Sequence, residues 1–299
     1  MRSSALWTGT TLAVAGVVAC HDVTSPTTPA GLPAFVYVED TAGFASLLRH
    51  DSVSTLQLTS GSNNYEPNSV GTRLVFTSER DGYPQVYISD VNVDTAHRVM
   101  NSGAIDRTAS LSPSADSIVF VSARTGVPRI WVIAAPALTA VGYDTPAALA
   151  TGSASYTPED APAWSPAGGQ IAFTSVRSGT SQVYVVPSGG GAAVAVTSES
   201  GGAFEPAWSG DGKSIYYIAA LPGYALRRVP ANGGLAVTVV ADSFSVAGPA
   251  SCNVSYCLYS TGFPTASGDM SALRLSGNVI QPIFARNAAK QRQPAILAP

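Results

Sequence analysis

The sequence predicts an all-β fold, a six-bladed β-propeller built from four-stranded antiparallel blades. Its 28 Gly and 21 Pro are scattered along 299 residues, and no long stretch carries helix formers at helical spacing. This pattern favours many short strands joined by turns. A phrase of strand, turn and strand recurs at intervals of about 40 to 50 residues, the period of a propeller repeat. Near the C-terminus, one strand is left without a partner.

The composition indicates a globular chain. Apolar residues make up 45% of the sequence and charged residues 12%, which is enough to bury a large core and too hydrophobic for a disordered chain. The formal net charge is -3. Because Lys and Arg do not cluster among aromatic residues, a phosphate backbone would gain little by docking. We therefore expect no nucleic-acid partner. A monomer is expected as well.

Residues 1–19 have the pattern of a secretory signal peptide. The chain begins Met-Arg, and residues 5–19 are uncharged, too short to span a bilayer but long enough for the apolar region of a signal peptide. The Val-Val-Ala-Cys that ends at Cys20 resembles a bacterial lipoprotein box. The sequence therefore predicts a lipid on Cys20 as the mature N-terminus, and an ordinary signal peptide cleaved elsewhere is the alternative.

The residues after Cys20 bear on location. In lipoproteins, an Asp at the next position implies retention at the inner membrane, so His21 predicts the outer membrane, with the protein facing the periplasm or the cell exterior. Residues 20–32 mix small polar residues with Pro and Gly, which favours extended, solvated backbone. They are predicted to be a flexible tether between the membrane lipid and a propeller domain of residues 33–299.

The repeat is clearest in two copies. Residues 160–173 and 205–217 each read as a strand, a tight polar turn and a second strand, with a Trp at matching positions. A third strand follows, as in Gln182–Val185, whose β-branched and aromatic residues suit a largely buried strand. After a turn that contains Gly comes a fourth, such as Ala193–Thr197. Four antiparallel strands make one propeller blade.

The number of blades follows from the aromatic residue that closes each second strand. Six positions of this type recur: Tyr37, Phe76, Phe120, Phe173, Tyr217 and Tyr259. The blade of Tyr37 lacks a first strand upstream, whereas residues 292–297 read as a first strand with nothing after it. Pairing these two segments would complete one blade from both chain ends and leave the ring without free edges.

The repeat resembles that of a known family. The phrase Pro-Ala-Trp-Ser-Pro-Ala-Gly-Gly-Gln-Ile-Ala-Phe from Pro162, followed by Ser-Val-Arg at 175–177 and Gln-Val-Tyr at 182–184, resembles the repeat of the TolB propeller and its WD-like relatives. The resemblance extends over residues 33–299 and implies a six-bladed propeller. Propellers of this type serve as scaffolds, sensors and substrate filters, so the fold alone does not choose a function.

A Ser followed two residues later by an Arg ends the second strand in three blades. The pairs are Ser78 and Arg80, Ser122 and Arg124, and Ser175 and Arg177. Because catalytic residues rarely occur in triplicate, we interpret these as structural, with each Arg bonding neighbouring turns or carboxylates. The sequence lacks the G-x-S-x-G motif of a serine hydrolase, and its three His lie in different segments, which gives little basis for a His metal site.

Two cysteines flank the turn between the first two strands of the last blade. Cys252 and Cys257 are separated by four residues, so they would face each other across a hairpin. In an oxidising compartment two close thiols usually pair. A disulfide is therefore predicted, and two free buried cysteines are the alternative.

Acidic residues precede the first strand in four repeats. They are Glu66, Asp106, Asp160 and Glu205. Because the first strands line the central channel of a propeller, we expect these residues to gather at one mouth as a binding site. They would attract a basic partner or a cation such as Ca²⁺, and no other cofactor is expected. The alternative is a set of solvated turn residues that cap local amides.

The sequence therefore predicts a non-enzymatic, lipid-anchored scaffold of the bacterial cell envelope. It would bind an envelope protein, peptide or glycan through one face of the ring. The alternative is a carbohydrate-active lyase or hydrolase in which a pair such as Asp160 and Glu205 divides the acid and base roles. That chemistry needs two carboxyl groups roughly 5 to 9.5 Å apart, a separation that sequence does not give.

Overall fold

A computed structural model describes residues 31–41, 43–51, 54–138, 145–221, 223–241, 250–261, 269–283 and 290–297. These residues form strands and turns, without a helix. Within the same ranges, no helix is long and apolar enough to cross a membrane. Cys20, the predicted signal peptide and nearly all of the predicted tether lie outside the described residues.

The strands pair into six four-stranded antiparallel sheets, which are the blades of one ring. Blades 1 to 3 consist of β24 (Lys290–Ile296), β1 (Phe35–Thr41), β2 (Phe44–His50) and β3 (Thr55–Gln57); β4 (Asn64–Val70), β5 (Arg73–Ser78), β6 (Gln85–Asp90) and β7 (Val93–Arg98); and β8 (Asp106–Leu111), β9 (Ser117–Ser122), β10 (Arg129–Ala134) and β11 (Ala147–Ala148). Blades 4 to 6 consist of β12 (Glu159–Trp164), β13 (Gln170–Ser175), β14 (Gln182–Pro187) and β15 (Val194–Ala195); β16 (Ala203–Trp208), β17 (Ser214–Leu221), β18 (Gly223–Pro230) and β19 (Val237–Ala241); and β20 (Ser251–Cys252), β21 (Tyr256–Thr261), β22 (Asp269–Arg274) and β23 (Val279–Pro282). The predicted all-β, six-bladed fold is confirmed.

The two ends of the chain meet in blade 1. Strand β24 lies antiparallel to β1, with Phe35 opposite Ile296 and Asp40 opposite Lys290. The backbone N–H of Leu297 continues this pairing by donating to the carbonyl of Ala34 at 2.9 Å. The C-terminal strand is therefore the first strand of blade 1, as the unmatched segment in the sequence predicted, and it closes the ring.

The core lies between neighbouring blades and is centred on their second strands. In one cluster, Ala172 of blade 4 packs with Tyr217 and Val229 of blade 5. The aromatic residues that indicated the number of blades are each at most 2% exposed: Tyr37, Phe76, Phe120, Phe173, Tyr217 and Tyr259. Burial of each Phe contributes about 1.5–3 kcal/mol. Strands buried on both faces explain the nearly continuous apolar runs in the sequence.

The recurring Ser-x-Arg phrase holds the end of the second strand. Arg177 Nε donates to Ser175 Oγ at 3.1 Å, and the guanidinium carbon lies 4.5 Å from the centre of the Tyr184 ring. The same guanidinium pairs with buried Glu159 at 2.8 Å. The equivalent Arg residues of blades 2 and 3 repeat the contacts to Ser and ring. The predicted structural role is confirmed, and each stack contributes about 0.5–2 kcal/mol.

Blade 6 carries the cysteine pair. Cys252 on β20 is the cross-strand neighbour of Cys257 on β21, and the two side chains form a disulfide. Strand β20 is only two residues long, so few backbone hydrogen bonds hold it. The covalent bond therefore fixes the innermost strand of this blade to its neighbour.

Candidate functional site

The ring encloses a central cavity of about 1460 Å³. Its wall is formed by residues of the first strand of every blade, β4, β8, β12, β16, β20 and β24. The turns that join first and second strands also line it, as at Gly71, Pro113, Pro166 and Gly210. The cavity therefore opens at the face of the ring that carries these turns, which we call the turn face.

Five of the first strands contain a bulge that faces the cavity. The residues at the bulges have φ between 48° and 56°, in the left-handed region: Glu66, Thr108, Ala161, Glu205 and Gln293. We call these five residues the bulge ring. The left-handed region costs a non-Gly residue about 1–3 kcal/mol, and a bulge redirects its side chain. All five line the cavity, so backbone strain is concentrated around it.

Hydrogen bonds link the bulge ring from blade to blade. The N–H of Glu66 donates to Gln293 Oε1 at 3.0 Å, and the N–H of Thr108 donates to Glu66 Oε2 at 2.9 Å. Thr77 Oγ1 donates to the same carboxylate oxygen at 2.7 Å. Burial raises the pKa of Glu66, while these two donors oppose the rise. Side chains of one blade thus satisfy backbone groups that the bulge of the next blade leaves unpaired.

An ion pair crosses from β8 to β12. The guanidinium of Arg107 donates to both oxygens of Asp160, at 2.8 and 2.6 Å. The N–H of Ala161 also donates to Asp160 Oδ1, at 2.8 Å. A bidentate pair of this type is directional and stronger than a neutral hydrogen bond. The carboxylate of Asp160 is therefore already occupied.

Glu205 differs from the other two carboxylates in the cavity. Its Oε2 atom is closed to solvent and has no hydrogen-bond partner within the described part of the chain. Burial, followed by repulsion from Glu66 and Asp160, raises the pKa of Glu205 to about 7. The structure thus brings Glu66, Asp160 and Glu205 into one cavity, and Glu205 is the one whose charge lacks compensation.

The fourth acidic residue, Asp106, is not part of the cavity lining. Its side chain is 0% exposed and pairs with Arg124 at 3.2 Å, and the Ser102 hydroxyl also donates to it. Asp106 stands two residues before Thr108, where β8 still pairs regularly with β9 ahead of the bulge. The prediction that placed it at the channel mouth is corrected, since it supports the blade instead.

Sequence reasoning missed Arg107, Thr108 and Gln293. A signal for the bulge positions exists, because the bulge residue directly precedes a Pro in four of the five strands: Pro67, Pro162, Pro206 and Pro294. Aligned on that Pro, Glu66 and Glu205 stand at the bulge, and Asp160 stands one residue earlier. The repeat therefore encodes which side chains reach the cavity.

The positions of the carboxylates also bear on whether the cavity could bind a metal ion. No group of three or more His, Cys, Asp and Glu among the described residues is placed to hold a metal ion. A Ca²⁺ ion usually takes six to eight oxygen ligands. Ca²⁺ in the channel stays a prediction, to be tested by titration.

Relatives of this chain are found by sequence and by fold. No protein-family model matches the sequence. It is 29% identical over 154 residues to a curated protein TolB homolog of Chlorobium chlorochromatii (strain CaD3), an alignment that covers 50% of this chain and 32% of that protein. The crystal structure of TolB from Acinetobacter baumannii matches 89% of this chain and 67% of its own, with a TM-score of 0.73 and 19% identity. The propeller therefore has a TolB-like fold.

A second solved structure agrees with the TolB-like propeller. The putative TolB from Agrobacterium tumefaciens has a TM-score of 0.65 and 14% identity, covering 84% of this chain and 88% of that one. At these identities the structural likeness shows the fold. This chain spans about a third of the length of the curated relative it matches, so the activity of the whole relative does not transfer with the fold.

Proposed function

We propose that the TolB-like propeller is a non-enzymatic scaffold of the bacterial cell envelope that binds an envelope protein, peptide or glycan through the turn face. The central cavity carries this proposal. Its volume of about 1460 Å³ exceeds the roughly 300–1,000 Å³ of most small-molecule sites, which suits part of a polymer. The likeness to TolB proteins supports the envelope location.

The cavity wall is suited to binding. Aromatic side chains of Trp164, Phe204 and Tyr224 line it together with the carboxylates. Buried aromatic residues are enriched among those that dominate binding energy, and polar groups beside them fix the orientation of a ligand. The wall therefore offers both contact area and specificity.

The alternative, a carbohydrate-active enzyme, rests on Asp160 and Glu205. The raised pKa of Glu205, about 7, would suit a general acid. Asp160, however, accepts from the two terminal guanidinium nitrogens of Arg107, one at each of its oxygens, so neither oxygen is free to act as a base or nucleophile. We therefore favour binding. Cleavage of envelope glycans by the wild type and its loss in Glu205→Gln would overturn this preference.

The anchor belongs to the same proposal. We expect Cys20 to carry the lipid and His21 to leave the protein at the outer membrane, facing the periplasm or the exterior. Cys20→Ala should abolish lipid attachment and release the protein from membranes, with an unchanged melting temperature. Mass spectrometry of the mature N-terminus decides this, and an unmodified terminus at any other residue would contradict it.

Site-specific photo-crosslinking tests binding at the cavity. A photoreactive phenylalanine analogue replaces Tyr224, which lines the cavity and is 40% exposed, or Tyr156, which lies outside it and is 78% exposed. In native envelopes, we expect a discrete adduct at Tyr224 and none at the more exposed control. No adduct at Tyr224, or the same adducts at both positions, would contradict the proposal.

A further inference from the structure

The charged groups of the cavity leave one carboxylate without a donor. Arg107 is used by Asp160 through both of its terminal nitrogens. Glu66 accepts from Thr77 and from the N–H of Thr108. Glu205 remains, with an oxygen closed to solvent and unbonded within the described residues. Unpartnered buried oxygens are rare in folded proteins, and each calls for an explanation such as a functional role, an ordered water or a bound group.

Glu205 also has a fixed depth in the cavity. It lies five residues before Gly210, which belongs to the turn face, so the strand between them spans up to about 16 Å. The opposite ends of the first strands do not contribute to the lining that the structure describes: Asn64, Asp106, Glu159 and Ala203. Tyr224, beside the hairpin of β17 and β18, lines the cavity at that opposite end. A ligand that enters from the turn face must therefore extend inward to reach Glu205.

The wall around this path is largely apolar. Trp164 Nε1 donates to the carbonyl of Gly168 and Trp208 Nε1 to that of Ala163, each at 3.0 Å. Both indoles line the cavity with their polar atoms already satisfied. Aromatic faces attract cations, most strongly where water is excluded. A positive group at the end of an extended, weakly polar chain fits this path.

We propose that the cavity recognises the free N-terminus of an extended peptide, whose α-ammonium group donates to the carboxylate of Glu205. This proposal rests on the proposed binding function and names its ligand class. Burial and the neighbouring carboxylates raise the pKa of Glu205 because its negative charge lacks compensation. An ammonium group bound beside it would neutralise that charge.

Two other cations fit less well. A Lys side chain reaches about 6 Å from its Cα, well short of the depth of Glu205 for a peptide that lies across the turn face. A Ca²⁺ ion needs several oxygens at about 2.3–2.6 Å, and the described carboxylates do not converge in this way. A peptide α-amino group is compact, sits at a chain end, and is largely protonated at pH 7 because its pKa is about 7.7–8.0.

Calorimetric titration of the full chain tests the proposal. The probes are a pentapeptide amide of alternating alanine and serine with a free N-terminus, the same peptide acetylated, and an acetylated version with a central lysine. We expect the free N-terminus to bind about tenfold or more tightly than either acetylated peptide, as a charge-assisted hydrogen bond would give. Glu205→Gln should remove this preference.

The matched control is Asp116→Asn, which removes an exposed carboxylate outside the cavity and should leave the preference unchanged. Equal binding of the free and acetylated peptides, tightest binding of the lysine peptide, or no binding of the free peptide would each overturn the assignment. The crosslink at Tyr224 reports on the proposed binding function by itself. If that crosslink forms while the peptide preference is absent, only the α-ammonium assignment fails.

Discussion

Glu159 and Glu205 are buried carboxylates on the first strands of adjacent blades, and they have opposite surroundings. Glu159 is 0% exposed and accepts hydrogen bonds from Arg129 Nε at 3.0 Å, Arg177 at 2.8 Å and the Thr151 hydroxyl. Glu205 Oε2 accepts none from the residues described. The first carboxylate joins blade 4 to Arg129 of blade 3 and to Arg177 of its own blade. The second is expected to lower the stability of the fold, and carboxylates with a perturbed pKa are found most often at functional sites.

The largest effect is expected at the saturated carboxylate. Glu159→Gln leaves two Arg residues without their charge partner in a buried site, so the free energy of unfolding should fall by about 3–5 kcal/mol. At about 2–4 °C per kcal/mol, the melting temperature should fall by roughly 6–20 °C. Thermal denaturation followed by circular dichroism measures this. If the melting temperature fell by less than 2 °C, Glu159 would not be the stabilising carboxylate that we contrast with Glu205.

Glu205→Gln should have the opposite sign. Since the pKa of Glu205 is raised from 4.5 to about 7, the folded state keeps a proton that the unfolded chain releases. The contribution of this group to stability is therefore lost as pH rises between these two values. At pH 8, the amide should raise the free energy of unfolding by about 1–3 kcal/mol.

The pH dependence provides the control for this substitution. The other charged groups that the described strands direct into the same part of the cavity, Glu66, Asp160 and Arg107, are present in both proteins. The difference in stability between variant and wild type should therefore grow from pH 5 to pH 7 and be small at pH 4. A difference that does not change with pH would mean that Glu205 is solvated.

Removing one donor from Glu66 should have a moderate effect. Thr77→Val deletes the hydroxyl that donates to the Glu66 carboxylate and should cost about 1.5–3 kcal/mol. The matched control is Thr174→Val, because Thr174 occupies the same place in β13 but donates to the neutral carbonyl of Asp160. That loss should be about 0.5–1.5 kcal/mol. Equal losses in urea denaturation would show that the charge of Glu66 is unimportant.

The smallest effect is expected at an exposed ion pair. Arg98 and Asp81 lie 3.0 Å apart, with side chains 22% and 40% exposed. Arg98→Gln should cost less than about 1 kcal/mol, because water and salt screen such pairs. If Arg98→Gln lowered the free energy of unfolding as much as Glu159→Gln does, burial would not explain why one ion pair stabilises the protein more than the other.

The fold could be predicted because the sequence repeats it. Each blade supplies a copy of the same strands, so the aromatic residues at the second strands and the unmatched segment at 292–297 identified both the blade number and the closure. Where one copy of the repeat is degenerate, the strand positions can be read from the other copies. The segments before residue 31 have no repeat to check them, and they stay predictions.

The site could be predicted only in part. Glu66, Asp160 and Glu205 reach the cavity, whereas Asp106 points to a blade interior. Side chains alternate along a strand and a bulge changes the alternation, so a shift of one or two residues decides which side a carboxylate faces. Partners of the Glu66 bulge come from two other blades: the N–H of Thr108 donates to its carboxylate, and Gln293 Oε1 accepts from its backbone N–H. These contacts depend on how the blades meet in the ring rather than on local sequence.

Closure by β24 joins two segments that are far apart in the sequence and therefore affects the order of folding. The pairing of Phe35 with Ile296 joins residues near opposite ends of the sequence, so its loop-closure cost is among the largest in the ring and it is expected to form late. Until then β1 presents an unpaired edge that invites aggregation. Because β24 also carries Gln293, a chain that lost its last strand would lack both the seal and a member of the bulge ring.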